Sequence, residues 1–293
     1  MSQLVDSTLR VRVAPANPGQ FFACCGLLEL ADRLWNGAEG WFEEDGCGFR
    51  VRLLEQRSPV DAAELPTALS TCALRNAMTD PQRRRREELS ATPKKERKRD
   101  PAIEAEKKTL DALWREAPVW LGPPFDLRLD WFLDDRANGS TFKTWAGQQS
   151  VIDIATGLQA AVGRVDWPAV AIEDWLIAGD GSACGAFNFD SNLGAIGTDR
   201  DVGFSFDPLG IGVRSNSLIE LAAFVGLQRF RPLSTPRENR HAFSLWSDPL
   251  PPSVASAAAS GALGSAPGQR FEFRLLYRTK YLKSFLPAHS AAR

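Results

Sequence analysis

The chain predicts an α+β protein, with mixed or antiparallel sheets and packed helices, and three observations carry that prediction. Helix-type and strand-type patterns follow one another in irregular order, not in the regular alternation that builds a parallel sheet. Short apolar runs are punctuated by turn formers such as Asn17-Pro18-Gly19 and Glu44-Asp45-Gly46. With 44% hydrophobic residues among 293, the chain can bury one large core or two modest ones.

The elements justify themselves in order. Thr8 to Val13 alternates polar and apolar residues and reads as a strand. Asn17 is a good N-cap and Pro18 suits the first helical position. Phe21, Phe22, Cys25, Leu28, Leu30, Ala31, Leu34 and Trp35 then give a broad apolar face, so a buried helix is expected. Trp41-Phe42 and Phe49 to Leu54 read as two strands joined at the Glu44-Asp45-Gly46 turn, and Pro59 to Ala73 as a second helix. Residues 1–79 therefore form an N-terminal strand-helix-strand region.

Residues 80–100 change character. Between Gln82 and Arg99 nine cations, Arg83, Arg84, Arg85, Arg86, Lys94, Lys95, Arg97, Lys98 and Arg99, face three carboxylates, Glu87, Glu88 and Glu96. With almost nothing apolar to offset ordering entropy, the expectation is a mobile basic loop, or an exposed helix.

Residues 101–293 read as a further α+β region, either separate from 1–79 or continuous with it. A helix is expected over Ile103 to Trp114, a strand over Phe125 to Phe132, a polar loop from Asp134 to Ser140 and an amphipathic helix over Gln148 to Arg164. Phe187 to Asp190 and Phe204 to Pro208 are similar aromatic alternations ending at an aspartate, a candidate strand pair. Ser217-Leu218-Ile219-Glu220 fits a capping box opening an apolar helix through Leu227. Ala242 to Trp246 reads as a strand, Ala255 to Gly268 as a linker, and Arg270 to Tyr281 as a last strand with Phe271, Phe273, Leu275 and Tyr277 on one face.

Composition excludes several classes. No stretch approaches the roughly 18 to 20 uncharged apolar residues of a membrane span. Met1 to Val13 lacks an apolar signal core, so a cytoplasmic protein without membrane contact is expected. Five cysteines, Cys24, Cys25, Cys47, Cys72 and Cys184, are odd in number and two are adjacent, which suits reduced thiols rather than a disulfide framework. Net charge is only -1, so nucleic-acid binding must come from local patches.

Chemistry has few candidates, and no enzyme, cofactor or metal is expected. His241 and His289 are the only histidines, and His241 sits among Arg237 and Arg240, a neighbourhood that disfavours the imidazolium a general base must become. There is no Cys-x-x-Cys pair and no phosphate-cradling glycine motif. Asp126, Asp130, Asp134, Asp135, Asp190 and Asp207 form the one carboxylate set that a two-metal nuclease would need; the plainer reading is turns and strand ends.

The basic run can supply sequence-independent affinity for phosphate. Phe142-Lys143-Thr144-Trp145 and Arg278-Thr279-Lys280-Tyr281-Leu282-Lys283 interleave cations with aromatics, a pattern that tracks a backbone and stacks bases. The equal alternative is that Phe142, Trp145 and Tyr281 are core anchors while the lysines face water. Gln148 and Gln149, with Lys143, are candidates for closer readout of a base edge.

The wording of the chain adds a resemblance. Asn17-Pro18-Gly19-Gln20-Phe21-Phe22-Ala23-Cys24-Cys25-Gly26-Leu27-Leu28-Glu29-Leu30-Ala31-Asp32, Asp130-Trp131-Phe132-Leu133-Asp134, Lys143 to Gln149, Phe204 to Pro208, Gly226 to Pro232 and Tyr277 to Lys283 are the segments that carry it. Together they resemble the small CRISPR-associated Csb and Csx group of subtype I-U, also called I-G. The resemblance implies a non-catalytic subunit of a type I, Cascade-like surveillance complex. Its partners would be guide RNA, target DNA, other complex subunits and a recruited helicase-nuclease. The large-subunit position near the target-entry end is the place it implies first, with a ferredoxin-like RAMP module on the guide as the other. Outside the resemblance stand a metal-dependent nuclease and a structural scaffold whose basic loop contacts an acidic protein partner.

Overall fold

Helix α1 (Pro18–Leu34) forms where Asn17 caps it, its side-chain oxygen accepting from the Gly19 and Gln20 amides. Every residue from Pro18 to Ala31 is buried, so this helix is the centre of the protein rather than an amphipathic cover. The computed structural model describes residues 9–54, 60–133, 142–145, 149–177, 187–191, 216–235, 240–263, 268–277 and 283–291, with Tyr277 and Lys283 as backbone only.

Strands β1 (Leu9–Arg12), β2 (Ala38–Phe42) and β3 (Gly48–Leu53) form a sheet in the order β1-β3-β2, both pairings antiparallel. β1 and β2 therefore run parallel with α1 as their crossover, a split β-α-β unit of the kind found in half a ferredoxin-like sheet. Leu9, Val11, Phe49, Val51 and Leu53 alternate into the core.

A second antiparallel sheet, β4 (Leu74–Asn76), β5 (Val119–Leu121) and β6 (Leu127–Leu129), packs with α2 (Glu64–Thr71) and α6 (Val151–Val162). Between β4 and β5 the chain leaves the core as α3 (Asp80–Ala91), the single turn α4 (Lys94–Arg97) and α5 (Pro101–Glu116). After two short 3-10 turns, Trp167–Ala169 and Ile172–Asp174, come α7 (Ser217–Arg229), β7 (Leu233–Ser234), β8 (Arg240–Ser244), α8 (Pro252–Ala259), β9 (Arg270–Tyr277), β10 (Lys283–Phe285) and β11 (His289–Ala291). The third sheet runs β10-β9-β8-β7, and β11 pairs with the same edge of β9 that β10 uses. It joins the first sheet through the Phe42 amide, which donates to the Trp246 carbonyl at 2.8 Å, and through the Gly40–Leu250 bridge.

α1 and α7 cross at two glycines. A Cβ on Gly26 would fall 1.9 Å from the Ala222 carbonyl oxygen, and one on Gly226 would fall 2.1 Å from that of Phe22. Only glycine at both positions lets the backbones approach so closely. Around the crossing, Phe21, Phe22, Phe42, Phe243 and Trp246 interlock, with Phe21 stacked on Phe243 at 4.0 Å. One continuous core runs from Leu9 to Ala288 in sequence.

Several expectations need correction. Of the two forms expected for residues 80–100 the helix holds and the loop does not, with α3 over 80–91 and the α4 turn over 94–97, because Thr79 caps α3 and good helix formers follow. The α7 cap is Asn216, whose side chain accepts from the Ile219 amide; Ser217 is the first helical residue, so Glu220 is freed from a capping box and points elsewhere. The strand expected from Phe125 shortens to Leu127–Leu129, since Asp126 takes a turn conformation with φ 44° and Trp131 and Phe132 leave the strand to enter the core. Phe187 to Asp190 is irregular, and Phe204 to Pro208 lies outside the described residues. The expected linker begins instead inside α8, whose Ala255, Ala258 and Ala259 are buried. Among the described residues no helix is long and apolar enough to cross a membrane.

Candidate nucleic-acid interface

The basic segment folds into a helical hairpin with a small core of its own, Met78, Leu89 and Leu110, flanked by Ile103, Leu113 and Trp114. Its first turn is a reciprocal capping box. The Thr79 amide donates to Gln82 Oε1 at 2.9 Å and the Gln82 amide to Thr79 Oγ1 at 3.4 Å. Four of the nine cations then serve the hairpin itself. Arg83 donates to the Met78 carbonyl, and Arg85 reaches across to Glu106 with two bonds of 2.9 and 2.8 Å while touching Glu88. Arg86 donates to Asp111 at 3.0 Å and lies 4.5 Å over the Trp114 ring. Arg97 donates to the Leu89 carbonyl and pairs with Glu104. Burial pushes the Asp111 carboxyl up, but Lys107 and Arg86 outweigh it and hold it below the usual range.

The other five, Arg84, Lys94, Lys95, Lys98 and Arg99, are exposed and have no hydrogen-bond or ion-pair partner among the described residues. Lys108 on α5 is exposed in the same way and was not singled out in the sequence, because it lies beyond the charge run. Of the exposed carboxylates of the hairpin, Asp80 and Glu88 pair with Arg83 and Arg85, which leaves Glu87, Glu96, Asp100 and Glu116 against these six, so the exposed surface of the hairpin is net basic. The division follows position: Arg85, Arg86 and Arg97 reach carboxylates of α5 and Arg83 turns back on the start of α3, whereas Arg84 between them reaches neither.

Phe142 to Trp145 is an anchor, not an open stacking surface. Trp145 is buried between Phe132 and Phe187, and Phe142 packs edge-on against the buried His241 at 4.6 Å. Lys143 is half-buried with Nζ 5.7 Å from the Trp145 ring. Burial holds its ammonium below the usual range, with Glu116 opposing that shift. A partly desolvated amine over a ring is poorly placed for phosphate. Gln149 is exposed beside it; Gln148, Arg278 and Lys280 lie outside the described residues, and Lys283 sits in β10 opposite Tyr277.

The aspartates do not converge. The Asp130 amide donates to Gln228 Oε1, and its carboxylate accepts from Gln228 Nε2 and pairs with Arg128, all at the C-terminal end of α7. Asp190 lies at the other end, where Asn17 Nδ2 donates to it at 2.7 Å and its amide donates to Glu220. Glu220 and Gln228 are eight residues apart on one helix, about 12 Å of rise, far beyond the roughly 4 Å separation of a two-metal site. Asp126 occupies its turn, and Asp134, Asp135 and Asp207 lie outside the described residues. Among the described residues no group of three or more His, Cys, Asp or Glu is arranged to hold a metal ion. Cys24 and Cys25 are fully buried and burial pushes their thiols up; Cys72 is pushed up to about 11, so none of the three is a ready nucleophile.

Glu220, missed as more than a cap, is the most perturbed carboxyl of the centre. It is fully buried and accepts from the Phe189 and Asp190 amides at 3.3 and 2.9 Å. Burial, with the nearby Asp190 charge adding to it, raises its pKa to about 7, against the pull of those backbone donors. At the opposite end of the helix pair, Glu29 is also buried, but Arg229 and Arg33 outweigh the burial and hold it low. No family model, curated protein or solved structure matches the chain.

Proposed function

We propose that this chain is a non-catalytic, nucleic-acid-binding subunit of an RNA-guided CRISPR surveillance complex of the type I, Cascade-like kind. In this reading the outer face of the α3–α5 hairpin lies along the phosphates of guide RNA or target DNA. The observation that supports it is the set of five exposed cations, Arg84, Lys94, Lys95, Lys98 and Arg99, left over once four others have built the hairpin. A rigid helical hairpin presents such charges with less ordering cost than a loop would. The resemblance supplies the setting, including other complex subunits and a recruited helicase-nuclease as partners and the large-subunit position. Positioning on a backbone, not sequence readout, is the role of such contacts.

The test is a salt series on labelled duplex DNA, single-stranded DNA and RNA, with the five residues changed together to glutamine. Removing one phosphate interaction lowers the slope of log K against log salt by about 0.9 for duplex and about 0.7 for single strands, so the variant's slope is expected to fall by roughly 3.5 to 4.5. An unchanged slope would sink the proposal. A second reading, a scaffold role against an acidic protein partner, is favoured by the hairpin having its own core. In that case deleting 80–116 abolishes assembly and leaves nucleic-acid affinity unchanged.

A further inference from the structure

The outer face of the third sheet holds a second basic feature, remote in sequence from the hairpin. Arg240 on β8 and Arg274 on β9 are directly opposite each other in the strand register. Like charges in that position repel and destabilise a sheet unless something compensates them. The carboxylate beside them, Glu272, is shared: Arg240 Nη1 lies 3.6 Å from it and Arg270 Nη2 3.7 Å. Arg274 is exposed and makes no side-chain hydrogen bond or ion pair among the described residues.

These two arginines, with His289, Leu286 and Pro287, line a pocket of about 330 Å³. His289 is held in place there, because Arg240 Nη1 lies 3.2 Å from its Nε2. A guanidinium has no acceptor, so Nε2 accepts and the ring proton sits on Nδ1, a donor available to a ligand. The β10–β11 link forms the pocket wall, fixed by the Leu286 amide donating to the Arg274 carbonyl at 3.0 Å.

We propose that this pocket binds a phosphate group between Arg240 and Arg274, with His289 as a further donor. Two guanidiniums flanking one concave site suit a tetrahedral dianion or a phosphodiester, and the bound anion supplies the charge that the cross-strand arginine pair lacks. The pocket shares no residue with the hairpin, and neither site depends on the other.

The experiment uses the full-length chain and its Arg274→Gln variant, chosen because an exposed side chain can change without unfolding the sheet. Calorimetric titrations are run with inorganic phosphate and, separately, with a dinucleotide carrying one phosphodiester. Loss of one charge-assisted donor is expected to weaken binding by about tenfold. Weakening of both ligands identifies a general phosphate site. Weakening of the dinucleotide alone identifies a nucleic-acid backbone as the source, and weakening of inorganic phosphate alone a free anion. No binding of either ligand to the wild type, or equal affinity in the variant, overturns the proposal. The five-residue hairpin variant is titrated alongside and is expected to match the wild type, which separates failure of this site from failure of the other.

Discussion

Replacing Gly226 by alanine tests the helix crossing on which the whole core rests. The added Cβ would sit 2.1 Å from the Phe22 carbonyl oxygen and 2.9 Å from the Gly26 amide nitrogen, both backbone atoms of a buried helix. A carbon and a carbonyl oxygen normally stay about 3.3 to 3.6 Å apart, so the axes must part by roughly 1.2 Å. No rotamer change can relieve the clash. Overpacking of this kind costs about 1 to 3 kcal/mol, and backbone on the opposing side puts this case at the upper end. Alanine returns about 1 kcal/mol of helix propensity, leaving a net loss of about 2 kcal/mol and a fall in Tm of roughly 3 to 6 °C. The matched control is Gly157→Ala in α6, where a Cβ meets nothing within 4 Å. The same chemical change there is expected to stabilise by about 0.5 to 1 kcal/mol. Thermal unfolding followed by circular dichroism reads both. If Gly226→Ala proves neutral or stabilising, the helices do not touch through their backbones and the core is held together in some other way.

Two further substitutions probe the site ends. Glu220 has its folded pKa raised to about 7 from an ordinary 4.5, so the folded state keeps a proton that the unfolded state releases. Its contribution is full below the unfolded value and is lost as pH climbs through about 7, by at most about 3 kcal/mol. Glu220→Gln keeps a carbonyl for the Phe189 and Asp190 amides without ionising, so urea melts should show the variant gaining on wild type between pH 5 and pH 7.5; a constant difference contradicts the assignment. Thr79→Ala removes one half of the α3 capping box and is expected to cost about 1 kcal/mol. Hydrogen exchange should quicken in α3 and not in α1, and uniform quickening would mean the hairpin is not a separate unit.

What the sequence made legible was local. Asn17-Pro18-Gly19 announces α1 because cap chemistry and proline geometry act within a few residues. The hairpin signal was equally local, Thr79-Asp80-Pro81-Gln82, but the charge run after it masked the pattern, since the carboxylates that order Arg85 and Arg86 lie 21 and 25 residues away. Asn216 and Ser217 are both good caps by residue type, and only the folded chain shows that Asn216 takes the Ile219 amide. The fate of Trp145 and Phe142 was open for the same reason: an aromatic beside a lysine reads alike whether it faces a base or a core. Cross-strand pairing of Arg240 with Arg274 was invisible, because residues so far apart in sequence carry no signal of their register.

The glycine crossing also has a consequence for synthesis. α1 is buried on all sides from Pro18 to Ala31, and its partner Arg229 is 200 residues downstream of Glu29. At about 5 to 20 residues per second, a ribosome takes roughly 10 to 40 s to deliver α7 after α1 has emerged. Throughout that interval the side of this buried helix that packs on α7 has no native cover, although β2, β3 and α2 can already meet its other side. Chains stopped before residue 216 would present Phe21 and Phe22 without Phe243 or Phe273 to meet them, so truncated products are expected to aggregate even when their own strands can pair.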